Sequence, residues 1–191
     1  MTIYVVTGRP RSGTSMMMNA SIAGGMNGVY SARKNIDHGA YDPNPAGHFE
    51  VRAEDIDMNN YPACMEGKVF KRMHERLTRE DILFQGHQMK GIFMNRDADE
   101  IAASWDRTFH TPFTPTWQYD ANQGLANLQA TFPDSDFIMV NYNDVIADPI
   151  GEFTKLAAWG WPIDVNAAAT VVDASLYRHR KISSVVQFTG G

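Results

Sequence analysis

The nine residues Thr7-Gly8-Arg9-Pro10-Arg11-Ser12-Gly13-Thr14-Ser15 constrain the fold of this chain more than any other stretch. They follow Ile3-Tyr4-Val5-Val6, a β-branched and aromatic run that reads as a strand. They precede Met16-Met17-Met18-Asn19-Ala20, whose composition suits a helix. Strand, glycine loop and helix in that order place the loop at a helix N-terminus. Gly8 and Gly13 permit a tight turn and close backbone approach, and the N–H groups of residues 12 to 15 are expected to face outward. Such a concavity binds phosphate or sulfate. The spacing fits G-x-x-x-x-G-K-[ST], except that Thr14 stands at the lysine position and the positive charge is displaced to Arg11. A loop that hydrolyses nucleotides needs its lysine on the β/γ-phosphates and a hydroxyl on Mg²⁺. A transferred group with one charge rather than two needs less neutralisation, so an arginine on the bridging oxygen can serve without a metal.

The rest of the chain alternates strand and helix signals. Lys68 to Met73 reads as a second strand, Thr78 as the N-cap of a short helix running through Leu83, and Lys90 to Asn95 as a buried strand. A helix from about Arg96 through Trp105 carries a capping-box-like Asp97/Glu100 pair. Another runs from about Asp120 to Thr131 and stops at Pro133. Phe137 to Tyr142 reads as a strand, Pro149 starts a closing helix to Trp159-Gly160, and Val51 to about Tyr61 has helical spacing. The expected fold is a three-layer α/β arrangement like that of P-loop nucleotide-binding proteins, a mostly parallel central sheet flanked by helices. Ligands bind at the carboxyl ends of such strands, so the residues just after each strand are the site candidates.

The chain has 191 residues, 43% apolar and 20% charged, which supports one domain over residues 1–191 with a substantial core. A net charge of −5 argues against a nucleic-acid partner. The single cysteine, Cys64, permits neither an intrachain disulfide nor a cysteine metal site, so a reducing, cytoplasmic setting is expected. No secretory leader or membrane-spanning run is legible, and no membrane partner is expected. The methionines at 16 to 18 read as core packing.

Arg96 ends a strand and Ser104 follows eight positions later on the next helix, about 80° beyond two full turns, so both lie on broadly one side of that element. An arginine fork with a hydroxyl donor suits a phosphate dianion.

With these two motifs in hand, the chain resembles sulfotransferases that use 3′-phosphoadenosine 5′-phosphosulfate (PAPS), a bacterial or phage-like short form. The resemblance covers Gly-x-Pro-Arg-Ser-Gly-Thr-Ser in the loop, Arg96-Asp97-x-x-x-x-Ala102-Ala103-Ser104, the segment Asp42 to Glu50, and Tyr142-Asn143-Asp144 through Asp148-Pro149. It implies that Arg9, Pro10, Arg11, Ser12, Gly13, Thr14 and Ser15 hold the 5′-phosphosulfate and that Arg96 and Ser104 hold the 3′-phosphate. Basic residues of the tail, Arg178, Arg180 and Lys181, then close over it. Arg11 acts on the bridging oxygen, Lys71 steadies the sulfonate, and the base is Glu50 or His74, the histidine of Lys71-Arg72-Met73-His74 falling one residue later than the family's Lys-Thr-His; His48 is a third candidate for the base, without a family counterpart. The implied reaction is in-line, metal-independent sulfuryl transfer to a hydroxyl or amine of a small-molecule or glycan acceptor, releasing 3′-phosphoadenosine 5′-phosphate (PAP). Loops over 27–47 and 107–119 would shape the acceptor pocket. Met16 departs from the tryptophan on which cytosolic members stack adenine. The alternatives are a P-loop kinase using ATP and Mg²⁺, and a non-catalytic nucleotide-binding protein of the same fold.

Overall fold

The computed structural model describes residues 2–30, 49, 51, 61–79, 81–109 and 120–176. Strands β1 (Thr2–Gly8), β2 (Gly28–Val29), β3 (Val69–Lys71), β4 (Gln88–Asn95) and β5 (Asp136–Asn141) form one sheet in the order β2-β3-β1-β4-β5. Every pairing in it is parallel. The α-helices among the described residues are α1 (Thr14–Ala23), α2 (His74–Arg79), α3 (Ala98–Phe109), α4 (Ala121–Thr131), α5 (Tyr142–Ala147), α6 (Pro149–Trp159) and α7 (Val165–Ala169), and a 3-10 turn follows α2 at Asp81–Phe84.

The period-two alternation of the strands divides the core into two apolar layers. Ile3 and Val5 of β1 pack with Leu77 of α2 and Leu128 of α4, together with Phe93 and Phe137. Val6 faces the other way, onto Met17 and Met18 of α1, Val145 of α5, Phe153 of α6 and Ala168 of α7. Helices therefore cover both faces of the sheet, the three-layer α/β architecture that the alternation of elements predicts. Each fully buried Phe or Met in these layers contributes about 1.5–3 kcal/mol through removal from water.

The order of the strands fixes where a ligand fits. From β1 the chain crosses toward β2, whereas from β4 it crosses toward β5, so β1 and β4 are neighbours whose connections diverge. The crevice beyond their carboxyl ends is the topological switch point. The loop after Gly8 and the turn after Asn95 meet there.

Several local readings are corrected. β2 has only two residues and begins with glycine, too little for a periodic signal. Thr78 does not cap a helix: it lies inside α2, its hydroxyl donating to the His74 carbonyl oxygen at 2.8 Å, and the helix starts four residues earlier. Burial of Leu77 draws that earlier turn onto the sheet, and the back-bonded hydroxyl suits a helix interior. Tyr142 is the first residue of α5 rather than the last of a strand, because Tyr142 and Val145, three apart, both enter the core. The polar stretch through Gly47, the helical pattern over 52–60 and the acceptor loop from 110 to 119 lie outside the described residues. So do His48, Glu50, Arg178, Arg180 and Lys181.

Candidate functional site

The loop after β1 has the geometry of an anion-binding turn. Gly8 has φ 141, and a Cβ there would stand 2.6 Å from the Met94 carbonyl oxygen, so only glycine lets β1 and β4 close together at the crevice. Gly13 is the N-cap of α1 with φ 98, and a Cβ on it would meet the Tyr142 ring at 2.4 Å. No side chain caps this helix and its first turn carries no acidic residue. The Met17 N–H makes the first bond back, to Gly13, which leaves Thr14, Ser15 and Met16 with N–H groups that have no acceptor within the helix. The positive end of the helix dipole and these donors face the same crevice. Ser12 departs from expectation: its N–H donates to the Arg9 carbonyl at 3.2 Å and its hydroxyl to the same oxygen at 2.7 Å. Ser12 shapes the turn through these two bonds.

Two cations reach the loop from neighbouring elements, and a third, Arg11, belongs to the loop itself. Lys71, at the end of β3 and 3% exposed, brings Nζ to 3.3 Å from the Ser15 hydroxyl. The ammonium missing from position 14 is thereby supplied from the neighbouring strand. Arg11 donates from Nε to the Ser104 hydroxyl at 3.0 Å, across 93 residues of sequence. Arg96, just past β4, donates from Nη1 to the Arg11 carbonyl oxygen at 3.3 Å and from Nε to Glu100 at 3.0 Å. Its guanidinium lies 4.5 Å from the centre of the Tyr142 ring. Burial pushes the Tyr142 phenol above its ordinary range, against the nearby Arg96 charge, so Tyr142 stays neutral and serves as packing. Asp97 caps α3 through the N–H groups of Asp99 and Glu100, so the Asp97/Glu100 spacing is a capping arrangement from the aspartate side.

His74 opens α2 beside the loop. Its Nδ1 lies 3.4 Å from the Gly8 carbonyl oxygen and 3.3 Å from a Glu75 carboxylate oxygen, both acceptors. These partners select the tautomer with the proton on Nδ1 and the lone pair on Nε2. Burial holds the imidazole below its ordinary pKa, reinforced by Arg9 and opposed by Glu75 and the Gly8 hydrogen bond. His74 is therefore neutral at pH 7. Arg9 is itself buried at 5% exposure, and Pro10 is half-buried at the rim.

The structure thus brings Arg9, Arg11, Ser15, Lys71, His74, Arg96 and Ser104 together at the carboxyl ends of the central strands. Two residues that the sequence reading did not assign to the site, Tyr142 and Glu75, belong to the same cluster, although Tyr142 opens one of the stretches that carry the resemblance. The only sequence hint for them was position: one directly follows β5 and the other adjoins His74.

Fold and loop geometry together define an α/β protein with a strand–glycine loop–helix turn at its switch point. No family model matches this chain, and no curated protein matches it. Among solved structures, one similar in outline is an unliganded sugar kinase from Janibacter sp. HTCC2649, with TM-score 0.40 and 15% identity over 91% of this chain and 99% of that one. A likeness at that level carries nothing about activity.

No helix among the described residues is long and apolar enough to cross a membrane. Among the same residues there is no group of three or more His, Cys, Asp or Glu side chains able to hold a metal.

Proposed function

We propose that the chain is a PAPS-dependent sulfotransferase. The observation that carries this reading is the Arg11–Ser104 contact at 3.0 Å: two sequence motifs that the resemblance assigns to opposite ends of one donor meet in space. The residues present suit that donor. The amides of Thr14, Ser15 and Met16 belong to the first turn of α1, a position that suits a 5′-phosphate, Lys71 adds a charge beside Ser15, and Ser104 and Arg11 offer a hydroxyl and a guanidinium for further anionic oxygens. Bound PAPS supplies a sulfuryl group whose transfer to an acceptor hydroxyl or amine yields the sulfated product and PAP and frees one proton.

The protein's part is positioning and neutralisation. Arg11 and Lys71 offset charge at the departing oxygen and on the sulfuryl oxygens. His74, with its proton on Nδ1, accepts the acceptor's proton at Nε2. Of the three candidate bases His74 is the one within the described residues, and its contact with Gly8 puts it at the loop.

Release of PAP from PAPS, measured in chelator against a panel of phenols, alcohols, amines and sugars, tests the reading. Wild type should sulfate at least one class, and Arg11→Ala should depress kcat more than donor affinity. Transfer from ATP with Mg²⁺ instead of PAPS would install the kinase reading.

A further inference from the structure

Arg96 is committed on three sides. Its side chain is 7% exposed and pairs through Nε with Glu100, whose own side chain is 3% exposed. Its Nη1 donates to the carbonyl oxygen of Arg11, and its face rests on Tyr142. The carbonyl it holds belongs to an unusual residue. Arg11 has φ 70, the left-handed region that a non-glycine residue populates about tenfold less than its ordinary conformations. Something must keep it there. The element around α3 grips Arg11 at both ends: Arg96 takes the backbone carbonyl and Ser104 takes the side-chain Nε. Tyr142 buttresses the same turn twice, under the Arg96 guanidinium and against Gly13.

We propose that Arg96 is a positioning residue: neutralised by Glu100, it anchors the Arg11 carbonyl and holds the loop in its anion-ready turn, rather than taking the 3′-phosphate as the resemblance implies. The inference rests on the donor reading for its nucleotide probes and on the described contacts for its geometry. Glu100 is what separates the two roles. As a ligand for phosphate, Arg96 would be released by loss of Glu100. As a strut, it would lose its own anchor.

The test measures the affinity of folded wild type, Arg96→Ala, Glu100→Ala and Glu100→Gln for PAP and for AMP, which lacks the 3′-phosphate. The strut predicts that Arg96→Ala and Glu100→Ala weaken both nucleotides by a similar factor, about tenfold, while Glu100→Gln, which retains an acceptor for Nε, stays close to wild type. Loss confined to PAP in Arg96→Ala, with Glu100→Ala unchanged or tighter, overturns the proposal, as does unchanged affinity in both. Where Glu100→Ala does not fold, Arg96→Lys takes its place: it retains a donor for the carbonyl and should recover both affinities in parallel, and recovery for PAP alone overturns the proposal. A readout free of nucleotide is the Arg11 Nε–H resonance in nitrogen-edited proton spectra. It should be present in wild type and lost to solvent exchange in Arg96→Ala, and its persistence there overturns the strut. Should wild type bind neither nucleotide, the donor reading fails and this resonance still decides the role of Arg96.

Discussion

Substituting Arg11 by glycine and by alanine gives a stability ordering that runs against the usual one. At an ordinary loop position, alanine is more stable than glycine by about 0.4–1 kcal/mol, because glycine loses more freedom on folding. At φ 70 alanine retains the left-handed penalty of roughly 1–2 kcal/mol that glycine escapes. Both variants lose the bond to Ser104, so that loss cancels in the comparison. The difference leaves Arg11→Gly more stable than Arg11→Ala by about 1 kcal/mol, equivalent to a melting temperature higher by about 2–4 °C for a chain of this size. Urea unfolding followed by the fluorescence of the packed Trp159/Trp161 pair measures it, with equal m-values as the check that the denatured states match. Alanine as stable as glycine, or more so, would refute the claim that Arg11 is held in a strained turn.

Gly13→Ala should cost about 2 kcal/mol or more in the same urea assay, since its Cβ meets the Tyr142 ring at 2.4 Å with φ 98, and it should weaken nucleotide binding alongside. Glu100→Ala should cost about 3–5 kcal/mol by leaving Arg96 buried without its partner, whereas the double replacement of both by apolar residues should recover much of that stability, read by chemical denaturation. His74, with its folded pKa below the ordinary 6.5, favours the neutral form, so its contribution to stability is complete above about pH 6.5 and is lost as pH falls from there toward the depressed folded value. His74→Gln should flatten that part of the stability curve; an unchanged slope would assign it to other groups. Glu75→Gln removes a charge that raises the His74 pKa, so the imidazole titration seen by proton NMR should move to lower pH. With it should move the acid limb of kcat/KM.

The sheet and the loop were legible because their signals are local. An apolar run, two glycines five apart and a helix-compatible stretch specify β1, the turn and α1 without reference to the rest of the chain. Arg96 and Ser104 were legible as residues, since strand-end position and helical spacing pick them out, but their contacts were not. The Arg11–Ser104 bond spans 93 residues, and the Lys71–Ser15 contact depends on β3 pairing beside β1. Register of that kind is a property of the assembled sheet. For the same reason the placement of His74 was not legible from spacing: α2 begins at His74 itself, and the helix start turns the ring back toward Gly8. Ser12 was misassigned because outward N–H groups were inferred for the whole loop, whereas the turn uses that N–H internally.

Calorimetric titration decides whether the crevice between β1 and β4 takes a PAPS-type nucleotide. Purified protein is titrated with PAP in the presence of chelator and, separately, with ATP and Mg²⁺. A PAPS-type site should bind PAP in the micromolar range, about −8 kcal/mol, without metal and ATP much more weakly. Preference for ATP with Mg²⁺, or binding of neither nucleotide, would contradict it.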